Sequence, residues 1–434
     1  MLLIYIREIT PRINYIFQLM LEEILALDFE LTTDNSFFES SECAKICFHH
    51  EQIGDSFWIE PSHLLFEGQL KNYDVEISTW RKLPMLFRTS GRGEIPFDLF
   101  AAAFYLVTRY EEYFPEKIDK HGRFRAKHSL AKKHGFLEQP VVNLYAYELK
   151  TLLQVRFPKL IFPKQNFTFQ PTIDIDNSYA YKHKGVVHNI GSILSKGFKF
   201  KGKSAMDHIK VFFHFRKDPY DSYTEQLRVH KKYQVEPVYF FLLGNKSKFD
   251  RNLSHKNRAQ KKLIRQIDAK NVVGIHPSYA SFENSKLIGC EKERLENIVE
   301  HEVRKSRQHY IRLKIPQTYQ SLIACGIEHD YSMGYPSRIG FRASICSPHF
   351  FFDLEKNQTE SLRLHPFCIM DTTLKQYMKI RSDKVLRKVK PLFDQIKSVN
   401  GEICIVFHNE SIGAQGIWKH WKGLYEKIIK LAIS

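Results

Sequence analysis

The stretch "PTIDIDNSYAY", residues 171–181, decides how the chain is read. Thr172, Ile173 and Ile175 have the character of a strand, and side chains alternate along a strand, so Asp174 and Asp176 project to the same side. Two like charges on one face repel. A chain tolerates them where the strand ends in a turn and Asp or Asn bonds local backbone groups, or where a cation or shared proton sits between the carboxylates.

Downstream of this strand, apolar runs alternate with helical patterns. "FQPTIDID", "EPVYFFLLG", "NVVGIHPSY" and "GEICIVFHNE" read as strands, while "SYTEQLRVHKKYQ", "RAQKKLIRQIDAK", "EKERLENIVEHEVRK", "QTYQSLIACG" and "HWKGLYEKIIKLA" read as helices. Such alternation predicts a largely parallel sheet covered by helices, either a barrel or an open doubly wound sheet. In both architectures the chemistry gathers at the C-terminal ends of the strands. Asp174 and Asp176 leave one strand there, His276 another, and His408, followed by Asn409 and Glu410, the last. No single one of these decides anything, since "DID" can cap a turn and "GIHPSY" can pack a loop. Their convergence on one rim is the pattern of a metal-assisted hydrolase.

At 434 residues the chain suggests two domains. The boundary expected is "RFPKLIFPKQN", residues 156–166, dividing a domain over 1–162 from one over 166–434. In the first part, "FDLFAAAFYLVTRYEEYF" puts Phe100, Phe104 and Val107 on one helical face, the signature of core packing. His121, in the turn "KHGRF", reads as a surface histidine. No window reaches the roughly 18 uncharged apolar residues of a spanning helix. The N-terminus lacks the basic start and small-residue cleavage site of a secretion signal. Seven cysteines without zinc-ribbon spacing read as reduced thiols, and the expectation is a cytoplasmic protein.

The formal charge of +17 concentrates in "SKGFKFKGK" (195–203) and "NKSKFDRNLSHKNRAQKKLIRQ" (245–266). These read first as solvated faces, and next as contacts for an anionic saccharide or an anionic membrane surface. Nucleic acid is the weaker reading, because no nucleic-acid-binding module accompanies the charge.

The order and content of these motifs resemble the polysaccharide deacetylases, the NodB-like carbohydrate esterases of family 4, and among them a divergent bacterial branch with an extra N-terminal domain. Thr172, Asp174 and Asp176 match the family's Thr-x-Asp-x-Asp motif. His276 matches its metal-binding histidine, and Arg307 and Tyr310 in "RQHY" its Arg-x-Pro-Tyr. His408 matches its last histidine. The likeness covers about residues 168–430 and gives the N-terminal part no function. It implies a distorted NodB-like (β/α) barrel preceded by a smaller α/β or α+β domain, and a divalent metal, zinc first, removing acetyl groups from an N- or O-acetylated sugar in envelope polysaccharide metabolism.

One family ligand is missing. Four residues after His276, where the family has a second histidine, stands Ala280. A catalytic zinc keeps three protein ligands, so His309, at the proline position of the third motif, is the candidate replacement beside Asp176 and His276; otherwise water fills the place or no metal binds. The resemblance further implies Asp174 as general base paired with Arg307, His408 as the acid that protonates the leaving group, and Tyr310 or nearby backbone N–H groups at the oxyanion. Asp330, Tyr335 and Arg342, together with Asn409, are the expected substrate-groove residues. The rival expectation is a catalytically inactive carbohydrate-binding or scaffold protein, which Ala280 favours and the pair Asp174 and His408 disfavours.

Overall fold

The structure, a computed structural model, describes residues 1–115, 117–184, 211 and 217–434. The lysine-rich stretch 195–203 lies outside the described residues. Two sheets organise the chain. The first is parallel throughout, with strands β1 (Leu2–Ile6), β2 (Phe29–Thr32), β3 (Ala44–Phe48) and β4 (Phe57–Ile59) in the order β2-β1-β3-β4. Between it and the second sheet come a hairpin, β5 (Ser78–Trp80) and β6 (Leu83–Met85), and the helices Leu99–Val107 and Val141–Arg156. Asp98 starts the first of these helices by accepting from the Ala101 N–H, an N-cap that satisfies a backbone donor left over at the helix end.

The second sheet has nine strands: β7 (Thr168–Ile175), β8 (Val238–Phe241), β9 (Val272–Ile275), β10 (Lys305–Ser306), β11 (His329–Asp330), β12 (His349–Asp353), β13 (Gln358–Leu364), β14 (Ile369–Met370) and β15 (Glu402–His408). Their order is β12-β13-β11-β10-β9-β8-β7-β15-β14, and every neighbouring pair is parallel except β12 with β13. Each strand predicted in this half is present, and so is each helix. Among the described residues the ladder does not close between β12 and β14, so the barrel-like order of the strands is that of an open sheet.

Period-2 alternation divides the strand residues between two apolar clusters. Tyr239, Phe241, Ile403, Ile405 and Phe407 join the large core under the helices, whereas Val238, Phe240, Cys404 and Val406 pack with Phe367 and Met370 on the opposite face. Asp174 is in register with Phe240 on one side and His408 on the other, which carries it to the rim of that smaller cluster.

The stretch 156–166 contains no regular element beyond the end of its helix, yet the core does not break there: one cluster runs from Leu2 to Ala432. Buried polar contacts join the two halves. Glu112 accepts from Arg342 Nε at 2.9 Å and Nη2 at 2.5 Å and from Arg109 Nε at 2.8 Å, and Arg109 Nη2 donates to the Tyr335 hydroxyl. Burial opposes the charge on Glu112, but Arg342 and then Arg109 outweigh it and hold the carboxyl below its usual value. His121 is not a surface histidine. It is 8% exposed, hydrogen-bonded to the Tyr279 hydroxyl, and its backbone carbonyl accepts from Arg312. All seven cysteines are free thiols. Among the described residues no helix is long and apolar enough to cross a membrane.

Candidate active site

Strand ends and the loops after them converge as the sequence predicts. Asp176 follows β7 directly, His276 follows β9, and His309 sits in a short turn after β10. His276 Nε2 lies 3.1 Å from Asp176 Oδ1, His309 Nε2 3.5 Å from Asp176 Oδ2, and all three donor atoms fall within 4.8 Å of one another.

The other ring nitrogens fix the tautomers. His276 Nδ1 is 2.5 Å from the Arg307 carbonyl, which can only accept, so Nδ1 carries a proton and Nε2 is the atom turned toward Asp176. Asp176 Oδ1 is buried and, among the described residues, has no hydrogen-bond partner. His309 Nδ1 donates to Asp250 Oδ1 at 2.9 Å. Burial alone would lower the His309 pKa, but Asp176 and then Asp250 more than offset it, and it is pushed up to about 9. Burial likewise opposes the ionised form of Asp176, yet His309, His276 and His408 hold it well below the usual carboxylate range. The cluster therefore demands positive charge between its carboxylates. A divalent metal held by Asp176, His276 and His309 fits that demand and the orphaned oxygen, with His309 giving up its Nε2 proton as the metal binds.

Asp174 and His408 flank this cluster. Arg307, fully buried, lies over the Phe240 ring with its carbon 4.9 Å from the centroid. Its Nη1 donates to Thr172 Oγ1 at 2.5 Å and to Asp174 Oδ1 at 3.2 Å, while Asp174 Oδ2 points toward His276 at 3.9 Å. His408 Nδ1 donates to Asp371 Oδ1 at 2.7 Å, so its Nε2 faces Asp176 Oδ2, 3.9 Å away. Asp371 also accepts from the His408 backbone N–H and from the Ser411 hydroxyl. Burial works against a charged imidazole, but Asp371, then Asp176 and Asp174, raise the His408 pKa well above its ordinary value.

These residues form the floor of a cavity of about 510 Å³, with Tyr310, Tyr377, Arg123, Lys248, Arg251 and Glu410 among its walls. Tyr310 adopts a left-handed backbone, φ 60°, which a bulky residue takes only when its surroundings hold it there. Arg123 Nη1, from the N-terminal half, supplies such a hold by donating to the Tyr310 carbonyl at 2.6 Å.

Four residues expected in the groove are elsewhere. Asp330 is buried beneath the site, accepting from Ser332 N at 2.8 Å and Oγ at 2.9 Å, and burial pushes its pKa to about 7. Arg342 is buried against Glu112, and Tyr335 is 2% exposed against Arg109. Asn409 spends its amide on the Asn177 and Tyr220 carbonyls, tying two loops together. None of the four lines the cavity. Conversely, Asp250 and Asp371, which orient His309 and His408, were not anticipated. Asp371 follows the apolar run "FCIM" as the other site residues follow theirs, a usable signal, whereas Asp250 is embedded in a lysine-rich stretch that reads as solvated surface.

A family model matches the N-terminal part. It covers residues 2–158 and is described as a family of unknown function, DUF7033. No curated protein matches the chain. Among solved structures, similarity is found to a protein assigned as a polysaccharide deacetylase from Mycobacterium smegmatis (10% identity, TM-score 0.39, 62% of this chain and 86% of that one). Further similarities are to the Puue allantoinase (10%, 0.39, 62% and 85%) and to the polysaccharide deacetylase Bc1974 from Bacillus cereus (12%, 0.27, 60% and 89%).

Proposed function

We propose that the chain is a metal-dependent hydrolase that removes acetyl groups from an N- or O-acetylated saccharide. The observation that carries this reading is the placement of Asp174, backed by Arg307, and His408, backed by Asp371, on either side of the Asp176, His276 and His309 donors at the floor of one cavity. The motif resemblance to the NodB-like deacetylases supports it. When bound, a divalent metal would polarise the acyl carbonyl and bring the pKa of a coordinated water toward neutrality. Asp174, held by the Arg307 guanidinium, accepts a proton from the attacking water through its free oxygen. His408, charged and oriented by Asp371, gives its Nε2 proton to the departing nitrogen or oxygen. Tyr310 stands at the cavity wall where it can turn its hydroxyl or backbone toward the developing oxyanion.

Ala280 favours a second reading, in which the protein binds carbohydrate without turning it over. Asp174→Asn separates the two. Under the hydrolase reading it lowers acetate release at least about a hundredfold, the scale of a positioned base, and leaves metal content intact. Equal, negligible release by wild type and variant across a broad panel of acetylated glycans, with metal supplied, would leave only the binding role.

A further inference from the structure

The cavity is acidic at its floor and basic at its rim, and the two halves of that pattern differ in how they are neutralised. On the floor, Asp174 pairs with Arg307 and Asp176 faces the histidines, while Glu410 on the wall has, among the described residues, only the Tyr220 hydroxyl as a hydrogen-bond partner and its pKa is raised by burial. At the rim, Lys248 and Arg251 line the same cavity, and among the described residues neither forms an ion pair. Arg123 lines it too, but its charge is already engaged by Asp119 at 2.7 Å.

These two cations are held in place. Asp250 lies between them in sequence and is fully buried, accepting from His309 and from the Tyr279 N–H at 2.8 Å. Ser247 closes the same turn through its backbone N–H to the Asp250 carbonyl and its hydroxyl to Asp250 Oδ2, and Arg251 Nε donates back to the Lys248 carbonyl. With Asp250 anchored inward, its neighbours are displayed outward. Lys248 Nζ stands 5.4 Å over the Phe249 ring, which stacks on Tyr279 at 4.0 Å and meets Tyr310 edge-on. The result is an aromatic wall topped by unpaired cations on a loop pinned to a candidate metal ligand. Sugar rings pack against aromatic faces, and two cations without an ion-pair partner on a pinned loop favour a carboxylate over a neutral hydroxyl.

We infer that the saccharide is anionic, carrying a carboxylate such as that of a uronic acid next to the acetylated residue, and that Lys248 and Arg251 bind this group. The inference deepens the proposed deacetylase reading and rests on it for the identity of the site, but binding tests it without turnover. Calorimetric titration of the full chain carrying Asp174→Asn compares a hyaluronan hexasaccharide, alternating glucuronate and N-acetylglucosamine, with chitin hexasaccharide of equal length. The acidic oligomer should bind about tenfold or more tighter, and the preference should shrink as salt is raised. It should disappear in the Lys248→Gln/Arg251→Gln double variant, whose changes are on the exposed loop and whose melting temperature serves as the folding control. Failure to distinguish the two oligomers, including by binding neither, overturns the inference. So does a preference that survives the double variant, or tighter binding of a single-stranded DNA oligomer than of hyaluronan. Absence of acetate release with the acidic preference intact would instead refute the hydrolase reading alone.

Discussion

Asp250→Asn tests whether His309 is the third metal ligand. The substitution keeps the shape of a fully buried side chain and changes two things. First, it disturbs the hydrogen bonds that orient the imidazole. The carboxylate accepts from His309 Nδ1, Tyr279 N and the Ser247 hydroxyl. An asparagine can keep its oxygen toward His309 and Tyr279, but its NH₂ then faces a Ser247 oxygen already accepting from Phe249 N and Asp250 N. Loss of such an orienting partner costs about 10- to 100-fold in metal affinity. Second, it removes a charge that helps keep His309 protonated, which reduces competition between proton and metal. Asp176 outranks Asp250 as the charge that raises His309, and Asp176 remains, so most of that competition persists. The orienting loss should win, giving at least a tenfold weaker Kd for zinc at pH 7, read by competition with a chromogenic chelator. The reasoning fails if Asp250→Asn binds zinc like wild type while Asp176→Ala and His276→Ala lose it. His309 would then be a neighbour of the site and not part of it.

Asp371→Asn should lower kcat about 10²- to 10⁴-fold, the range for a general acid deprived of its orienting partner. Because Asp371 is the leading charge that raises His408, the alkaline limb of the pH–rate profile should move to lower pH; an unmoved limb would assign it to another group. Zinc affinity should rise with pH up to about 9, where the metal no longer displaces a proton from His309, and level off above. The sign for metal-free stability is opposite: a histidine raised from 6.5 to about 9 on folding contributes fully below 6.5, and that contribution is lost as pH climbs through 9, which urea titrations at pH 6 and 9.5 would register. Glu112→Gln leaves Arg109 and Arg342 buried without their shared carboxylate and should destabilise the protein by about 3–5 kcal/mol, measured as a shift in the urea midpoint at unchanged slope.

The parallel sheet was legible because each strand is short, apolar and followed by a helical period, and because polar residues mark the strand exits. That same signal pointed to Asp174, Asp176, His276 and His408, which line one cavity, and it could have pointed to Asp371. His309 was proposed for the place of the missing histidine at Ala280 from a ligand count, and the geometry brings it to Asp176. Arg342, Tyr335, Asp330 and Asn409 were misjudged for a common reason. A polar side chain in a loop can face a ligand or anchor the loop, and which it does depends on a partner far away in sequence: for Arg342, Glu112 is 230 residues distant. Asp250 was hidden differently. Its neighbours are lysines and arginines on the surface, and a single buried acid among them carries no periodicity that would reveal it.

The uninterrupted core and the Glu112 ion pairs have a practical meaning for anyone handling the gene. The proline-rich stretch at 156–166 looks like the natural place to cut, but a fragment starting there would lose Glu112, which neutralises Arg342, and Arg123, which supports Tyr310. It would also bare the apolar surface on which the first 158 residues rest. The amino-terminal part thus supplies part of one wall of the cavity, through Arg123, as well as being its neighbour in the chain. Swapping it between relatives should alter the shape of the cavity at Tyr310 before it alters anything at Asp176, His276 or His309.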